Sequence, residues 1–194
     1  MSSDARREQL AAIAQELIAR DGHAGFSLDE VAERADVTRN LLYHYFPRGR
    51  QDLFLAVVDH GGRQIAGGWV TDEQVPREER VAANFAHVVA HAGGPSAAWV
   101  VYRQARASAD PEVLAAIGGH VDRIVSAVAL NQLGTTDPLP LARVALTGFV
   151  AFTEVAIDEA RSQGMAPESV MPLLTETLAA AMASVRELSG AAGS

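Results

Sequence analysis

The apolar residues of this chain recur with the period of an α-helix almost everywhere, and this pattern constrains the fold more than any other feature. Near the amino terminus, a stripe at i, i+3, i+4 and i+7 spacing consists of Leu10, Ile13, Ala14, Leu17 and Ile18. No segment alternates apolar and polar residues convincingly enough to indicate a strand. With 194 residues, 48% of them hydrophobic, the chain is long enough for one or two domains with an apolar core. The sequence therefore predicts an all-α fold of about nine helices.

The amino-terminal segment predicts a compact bundle of three to four short helices. Glycine in the pair Asp21-Gly22 is a typical carboxy-terminal stop for the first helix. Ser27 and Glu30 have the spacing of a capping box, in which each side chain bonds the other residue's backbone N–H. After a tight turn, Thr38 can cap a helix of only about two turns. Two short helices joined in this way predict a helix-turn-helix unit.

The rest of the chain predicts a second helical domain. We expect a helix-turn-helix domain at 1–50, a connecting fourth helix at about 51–66 and a second domain at 67–194. Further helices are predicted near 78–92, 96–109, 111–132, 138–162 and 169–188. Asp110 and Asp137 each precede a proline and are predicted helix caps, and Ser169 is the predicted cap of the last helix.

The net charge of −8 argues against a polyanionic partner, but the charge is unevenly distributed. Residues 37–51 contain three arginines and no acid. All 16 basic residues are arginine, whose planar fork suits bidentate contacts with phosphate or guanine. A bias in codon composition would produce the same usage. The local charge therefore leaves a nucleic-acid partner open.

The predicted two-turn helix carries polar side chains on its outward face, namely Thr38, Arg39, Asn40, Tyr43 and His44. Arginine and asparagine pair bidentately with guanine and adenine edges, and Leu41 could contact a thymine methyl. Four side chains suit phosphate contacts: Tyr43, Tyr45, Arg48 and Arg50. The alternative is that the aromatic residues belong to the core of a small bundle and the arginines to a solvated face. The capped helix, sharp turn and second helix favour a reader of double-stranded DNA.

The segment FSLDEVAERADVTRNLLYHYFPRGRQDLF resembles the DNA-binding signature of TetR/AcrR-type transcriptional regulators, and the resemblance covers residues 8–58. It implies recognition positions at Thr38, Arg39, Asn40 and His44, phosphate contacts at Tyr43, Tyr45 and Ser27, and packing positions at Leu42 and Phe46. Asn40 stands where that family usually has glycine or alanine. Gly49 occupies the place of a lysine and Arg50 follows it, so either Arg48 or Arg50 takes the phosphate role.

The second domain is predicted to dimerise. Residues 139–157 are apolar nearly all round, which requires burial on two sides, and the resemblance implies a homodimer with a four-helix interface. The predicted interface residues are Phe149, Phe152, Val155, Ala156, Leu174, Leu178 and Met182. A monomer with two unusually well-buried helices is the alternative. A dimer would present two reading helices to a palindrome.

Aromatic and polar residues beside an apolar stripe predict a small-molecule site, and the resemblance implies an effector pocket. The predicted lining is Phe85, Val88, His91, Trp99, Tyr102, Arg103, His120, Phe149 and Phe152. His87 and His91 have i, i+4 spacing that can chelate a metal, but no acid lies within a turn of either. We therefore expect no metal and no cofactor. Paired acids such as Asp158-Glu159 lie in polar surroundings, so we expect no catalytic dyad and no enzyme.

Cysteine is absent and the amino terminus lacks an apolar leader, which indicates a cytoplasmic protein. Arg143 and Glu154 interrupt the most apolar window, so no membrane span is expected. The predicted function is a ligand-responsive repressor that binds a palindromic operator as a dimer and is released by a small-molecule effector. An activator of the same architecture is one alternative. A small helical metal- or ligand-binding protein using His87, His91 and His120 is another.

Overall fold

The computed structural model describes residues 2–93 and 96–191. Within them, all regular structure is helical, as predicted. The α-helices are α1 Ser3–Gly25, α2 Leu28–Arg34, α3 Arg39–Tyr45, α4 Arg50–Ala66, α5 Arg77–Gly93, α6 Ala97–Arg106, α7 Pro111–Leu133, α8 Pro140–Ser162 and α9 Met171–Ala191. A short 3₁₀ helix, Pro167–Val170, precedes α9.

The described residues form two compact units. The first contains α1 to α4 as far as Ile65, together with α6 and the first part of α7 as far as His120. The second contains α5, the rest of α7, α8, the 3₁₀ helix and α9. Sequence reasoning did not anticipate that α6 packs mainly against α1. The assignment of separate functions to 1–50 and 67–194 stays a prediction.

The first unit is built on the apolar face of α1. Leu10, Ala14, Leu17 and Ile18 are fully buried. The helical path breaks at Gly22, whose φ of 76° lies in the left-handed region that favours glycine. The predicted break at Gly22 is therefore confirmed, but α1 continues for one further turn and ends at Gly25.

Only half of the predicted capping box forms at α2. The Ser27 hydroxyl accepts hydrogen bonds from the backbone N–H groups of Asp29 and Glu30, at 3.2 and 3.5 Å. The Glu30 carboxylate instead accepts hydrogen bonds from Arg20 and also pairs with Arg34. These arginines hold the pKa of Glu30 below its ordinary value. The predicted bond from the Ser27 N–H to the Glu30 carboxylate does not form, because charged guanidinium groups are stronger partners for a carboxylate than a backbone N–H.

The two predicted aspartate caps have different outcomes. The Asp110 carboxylate accepts from two backbone N–H groups in the first turn of α7, at 2.8 and 3.4 Å, which confirms that cap. The prediction for Asp137 was wrong, because α8 begins at Pro140 with Leu139 as a cap that makes no side-chain hydrogen bond. Asp137 lies in the preceding turn, where its N–H donates to Thr135 Oγ1 at 3.1 Å.

The predicted start of the last helix also changes. Ser169 lies inside the 3₁₀ helix rather than capping α9. That short helix begins at Pro167 and continues directly into α9 at Met171. Pro172 consequently occupies the first turn of α9, where its missing N–H is tolerated, as predicted.

Two of the described helices, α7 and α8, are long and apolar enough to cross a membrane by length and composition alone. Core helices of proteins without any membrane segment pass the same test, so this is weak evidence. The absence of a membrane partner stays a prediction.

A close approach between α4 and α7 fixes the interior of the first unit. His120 on α7 is almost completely buried, and its ring lies directly against Gly62 on α4. Its Nε2 lies 3.2 Å from Asp59 Oδ1. A methyl group at Gly62 would collide with the imidazole ring. This helix crossing therefore requires glycine at position 62.

We expect Gly62→Ala to lower the free energy of unfolding by about 1–3 kcal/mol, as overpacking of a filled interior does. Gly118→Ala on α7 is the control, because its added methyl group meets nothing within 4 Å. That change should raise stability by about 0.5–1 kcal/mol through helix propensity. Urea unfolding of both variants checks the pair, and a stabilised Gly62→Ala would contradict the packing described.

Candidate nucleic-acid interface and ligand cleft

The turn between α2 and α3 has the geometry of a helix-turn-helix unit. Asp36 adopts a left-handed conformation with φ 52°, which a short polar side chain tolerates better than most. The Val37 N–H then donates to the carbonyl of Ala32 at 3.0 Å. Thr38 caps α3 by accepting from the Leu41 N–H at 3.2 Å, as predicted. These local bonds set the direction of α3.

Tertiary packing holds α3, because a helix of seven residues is too short to be stable alone. Leu42 and Phe46 are both 0% exposed, as expected for packing positions. Arg7 on α1 covers the Phe46 ring at 4.7 Å and donates to the Tyr45 carbonyl at 2.8 Å. One side of α3 is therefore fixed to the first unit.

The other side of α3 is open. Its exposed residues are Thr38, Arg39, Asn40, Tyr43 and His44. Leu41 and Tyr45 are half-buried, and the Tyr45 ring meets His44 edge-on at 5.4 Å. The structure therefore brings the predicted recognition side chains together on one short exposed face.

Arg39 has an acidic partner. Its Nη1 lies 2.8 Å from Asp29 Oδ1 and 3.1 Å from Oδ2 on α2, and its guanidinium lies 5.8 Å from the Tyr43 ring centroid. Hydrogen bonding with Tyr43, followed by the charge of Asp29, raises the pKa of Arg39. Sequence reasoning missed Asp29, because its pairing with Arg39 depends on the packing of two helices.

Arg50 is used to hold the first unit together. Its guanidinium donates to the carbonyls of His23, Ala24 and Phe26 at the end of α1 and lies 4.3 Å from the Phe26 ring centroid. Gly49 directly before it has a φ of 62°, in the left-handed region that favours glycine. The resembling family has lysine at this position. Arg50 is consequently half-buried.

Arg48 lies at the surface but is paired with acids. Its Nε lies 2.6 Å from Asp52 Oδ1, and its Nη1 lies 2.9 Å from Glu112 Oε2 at the start of α7. The Arg48 backbone N–H, assisted by the guanidinium, holds the pKa of Asp52 below its usual value. Arg48 side-chain exposure is 54%, so its charge remains accessible.

We expect Arg50→Lys to lower the free energy of unfolding by about 1–3 kcal/mol, because one ammonium group cannot replace a fork bonded to several carbonyls. Arg34→Lys is the matched control. Its exposed i, i+4 pair with Glu30 should contribute little to stability. Thermal and urea unfolding measure both, and equal losses would contradict the structural role of Arg50.

The predicted pocket residues are divided between the two units. Trp99, Tyr102, Arg103 and His120 belong to the first, where the rings of Trp99 and Tyr102 are buried and stacked at 5.5 Å. Phe85, Val88, His91, Phe149 and Phe152 belong to the second. His87 and His91 pack ring to ring at 4.3 Å. Among the described residues, no three metal-ligating side chains form a cluster.

A narrow cleft of about 20 Å³ lies in the second unit and includes two of the predicted residues, Phe85 and Phe149. Its lining is Trp69, Val81, Asn84, Phe85, Val128, Asn131, Gln132, Phe149 and Leu178. A wider groove of about 630 Å³ shares part of this wall and adds residues such as Arg77, Glu78, Met171 and Thr175. Sequence reasoning missed Trp69 and Asn131, since only the folded chain brings them beside α5.

The polar groups of the cleft are partly satisfied. Asn84 holds the backbone of Val70 by accepting from its N–H at 2.7 Å and donating to its carbonyl at 3.1 Å. Asn131 donates to the same carbonyl at 3.1 Å. Trp69 Nε1 and Asn131 Oδ1 are buried and have no hydrogen-bond partner in the described part of the chain.

The predicted dimer residues fall into two groups. Phe149, Leu174, Leu178 and Met182 are buried in the second unit, so they are unavailable to a second copy in this conformation. On α9 this follows from i, i+4 spacing, which turns all three residues toward the interior. Ala156 is half-buried. Phe152 and Val155 are exposed, at 37% and 67%, and their role in an interface stays a prediction.

A capped two-turn helix with a buried side and an open polar side, preceded by a short helix and a tight turn, defines a helix-turn-helix DNA-binding domain. The family model "Bacterial regulatory proteins, tetR family" matches residues 10–57, which contain this unit. Residues 10–57 are therefore a DNA-binding domain of the tetR type, and the coarse function of the chain is that of a DNA-binding transcriptional regulator.

Solved structures extend the likeness over most of the chain. A tetR-family transcriptional regulator from Streptomyces coelicolor is 22% identical, with a TM-score of 0.76 over 98% of this chain and 87% of the other. A putative tetR family transcription regulator from Shewanella sp. PV-4 is 14% identical, with a TM-score of 0.62 over 87% of this chain and 95% of the other. At these identities the likeness concerns the fold. The curated proteins contain no significant sequence match.

Proposed function

We propose that this protein is a cytoplasmic repressor that binds a palindromic operator as a homodimer and releases it when a small molecule binds the second unit. The observation that carries the proposal is the open face of α3, where an arginine, an asparagine and a histidine are exposed on a helix fixed by its opposite side. An activator of the same architecture is the alternative, because the sign of regulation depends on operator position. Regulators of this family are typically not enzymes, and we propose no catalysis.

The base-reading role falls to the side chains of α3 that combine exposure with suitable hydrogen-bonding groups. Asn40 and Arg39 can pair bidentately with adenine and guanine in the major groove. Thr38 and His44 lie at the same surface, and the half-buried Leu41 offers an apolar contact. A helix presented in this way fits the width of the major groove.

The phosphate-contacting role falls to residues around the rim of that face. We assign it to Tyr43, Tyr45, Arg48 and Ser27. Arg48 is preferred over Arg50, because the Arg50 guanidinium is already bonded to three backbone carbonyls. Phosphate binding by Arg48 would compete with Asp52 and Glu112, which now hold its charge.

We expect Asn40→Ala to reduce discrimination between a selected operator and its base-substituted variants by about 1–3 kcal/mol, because an edge-reading side chain is lost. Arg48→Ala should weaken binding to all sequences alike and reduce the salt slope by about one. Fluorescence anisotropy over a salt series measures both effects. Equal losses on operator and random DNA from both variants would contradict this division of roles, and absence of any sequence preference in the unmodified protein would contradict the proposed function.

Dimerisation is supported by an apolar stripe on α8 that remains exposed in one copy. Leu141, Val144, Phe152 and Val155 follow one another at helical spacing, and Val144 is 71% exposed. Gly148 lies within the stripe with open space around it, which permits close helix approach. Large exposed apolar stripes commonly mark protein interfaces, so we propose that a second copy covers this one through a two-fold axis.

A two-fold dimer would present two α3 helices to the DNA. Helix-turn-helix dimers bind half-sites about one helical turn, or roughly 34–36 Å, apart. The proposed operator is therefore an inverted repeat.

The cleft beside α5 is our candidate effector site. Its lining is mostly apolar, which suits a ligand with an apolar body. Among residues 2–93 and 96–191, Trp69 Nε1 has no acceptor and Asn131 Oδ1 no donor, and leaving such buried groups unpaired costs about 1–3 kcal/mol each. A ligand bearing one group that both accepts and donates a hydrogen bond would recover part of that cost.

Two helices link the two units along the chain, because the unit boundaries fall at Ile65, near the end of α4, and at His120, within α7. Helix α4 begins at Arg50 and ends at Ala66, shortly before Trp69 in the sequence. Helix α7 carries Glu112 at its start and Asn131 near its end. Effector binding would change operator affinity only if the ligand binds two arrangements of these helices unequally. Linkage then requires operator DNA to weaken effector binding by the same factor.

We expect Val128→Phe to weaken binding of the aromatic, anionic probe 1-anilinonaphthalene-8-sulfonate by about tenfold, because the larger ring fills the cleft. Leu114→Phe on the exposed side of α7 is the control and should bind as the unmodified protein does. Trp69 serves as the only energy donor once Trp99 is replaced by phenylalanine, so energy transfer reports probe bound near the cleft. Unchanged transfer in Val128→Phe would contradict the proposed site.

A further inference from the structure

We propose that Asp29 is a positioning residue for base recognition, which orients the guanidinium of Arg39 toward a guanine and also weakens binding to unselected DNA. This inference rests on the proposed function, since it takes Arg39 as a base reader. It assigns to α2 a part in sequence discrimination that the residues of α3 do not supply alone.

The geometry holds Arg39 from two directions. One nitrogen, Nη1, bridges both carboxylate oxygens of Asp29 at 2.8 and 3.1 Å. The Tyr43 ring lies 5.8 Å from the guanidinium carbon. Arginine has five N–H donors, so the carboxylate and a bidentate guanine contact can be satisfied together. An arginine held in this way loses less rotational freedom on binding than a free one.

Stability does not account for this ion pair. The side chains of Arg39 and Asp29 are 56% and 67% exposed, and pairs this exposed contribute little to folding. The Ser27 hydroxyl already caps α2. An acid beside the proposed DNA surface also repels phosphate, which lowers affinity for every sequence. Asp29 therefore opposes DNA binding in general and yet contacts Arg39, the proposed base-reading side chain. Discrimination between DNA sequences is the role that explains both properties.

Asp29→Asn should change two measured quantities in opposite directions, namely affinity for random DNA and discrimination at one base pair. Asp29→Asn removes the charge, so affinity for random duplex DNA should rise by about twofold or more at low salt. The same change frees the Arg39 side chain, so discrimination at the base pair read by Arg39 should fall by about fivefold to tenfold, part of the value of one bidentate contact. That base pair is defined as the one whose preference is lost in Arg39→Ala.

Two further variants separate charge from geometry. Glu33→Gln makes the same charge change one helical turn along α2, where no ion pair is formed by Glu33 among the described residues. It should raise random binding without loss of discrimination. Asp29→Glu keeps the charge but moves the carboxylate, so discrimination should fall while random binding stays low.

The test measures dissociation constants for an operator selected from a random DNA pool, its single-base variants and a random duplex. Support requires that Asp29→Asn and Asp29→Glu lose discrimination, and that Asp29→Asn has no further effect on it in the Arg39→Ala background. Equal discrimination in Asp29→Asn and Glu33→Gln overturns the inference. A loss that persists without Arg39 also overturns it, because Asp29 would then contact a base directly.

Failure of the inference and failure of the proposed function are distinguishable. If the unmodified protein selects no sequence, the proposed function fails. If it selects a sequence that Arg39→Ala reads equally well, the assignment of Arg39 fails and the positioning role with it. If Arg39→Ala loses discrimination but Asp29→Asn and Asp29→Glu do not, only the positioning role fails.

Discussion

The burial of Leu42 and Phe46 is the contact on which the proposed reading surface depends. A helix of seven residues has too few internal hydrogen bonds to offset the conformational entropy of ordering it. Its position is fixed instead by these two side chains, both fully buried, and by the Thr38 cap at its start. Because one side of α3 is held, the other side can present polar groups without support from the bound DNA.

Arginine pairing then shapes the electrostatics of an acidic chain. Arg50 is bonded to the end of α1, Arg48 to Asp52 and Glu112, and Arg39 to Asp29. The two pairings with carboxylates, those of Arg48 and Arg39, lower the positive field that the phosphates of random-sequence DNA would feel. We infer that these pairings lower the affinity of the first unit for DNA of any sequence and also fix the orientation of its arginine side chains. A paired guanidinium is better placed for one partner than a mobile one.

Sequence patterns predicted what depends on neighbouring residues. The caps at Ser27, Thr38 and Asp110 were correct, because a cap is made within one turn of chain. Asp137 failed since two nearby prolines, at 138 and 140, offered competing helix starts. Contacts over long sequence separations were beyond local patterns: Glu112 on Arg48 and Asn131 on Val70 each join residues about 60 positions apart. The buried face of α9 was likewise ambiguous, because both the core and a dimer interface favour apolar residues.

The central claim is that α3 reads guanine through Arg39 in the major groove, and base-analogue substitution tests it most directly. Replacing each operator guanine in turn by 7-deazaguanine removes only the N7 acceptor of the major-groove edge. The account predicts one position in each half-site at which the unmodified protein loses about fivefold or more in affinity while Arg39→Ala loses nothing further. Equal losses in both proteins, or no loss at any position, would contradict it.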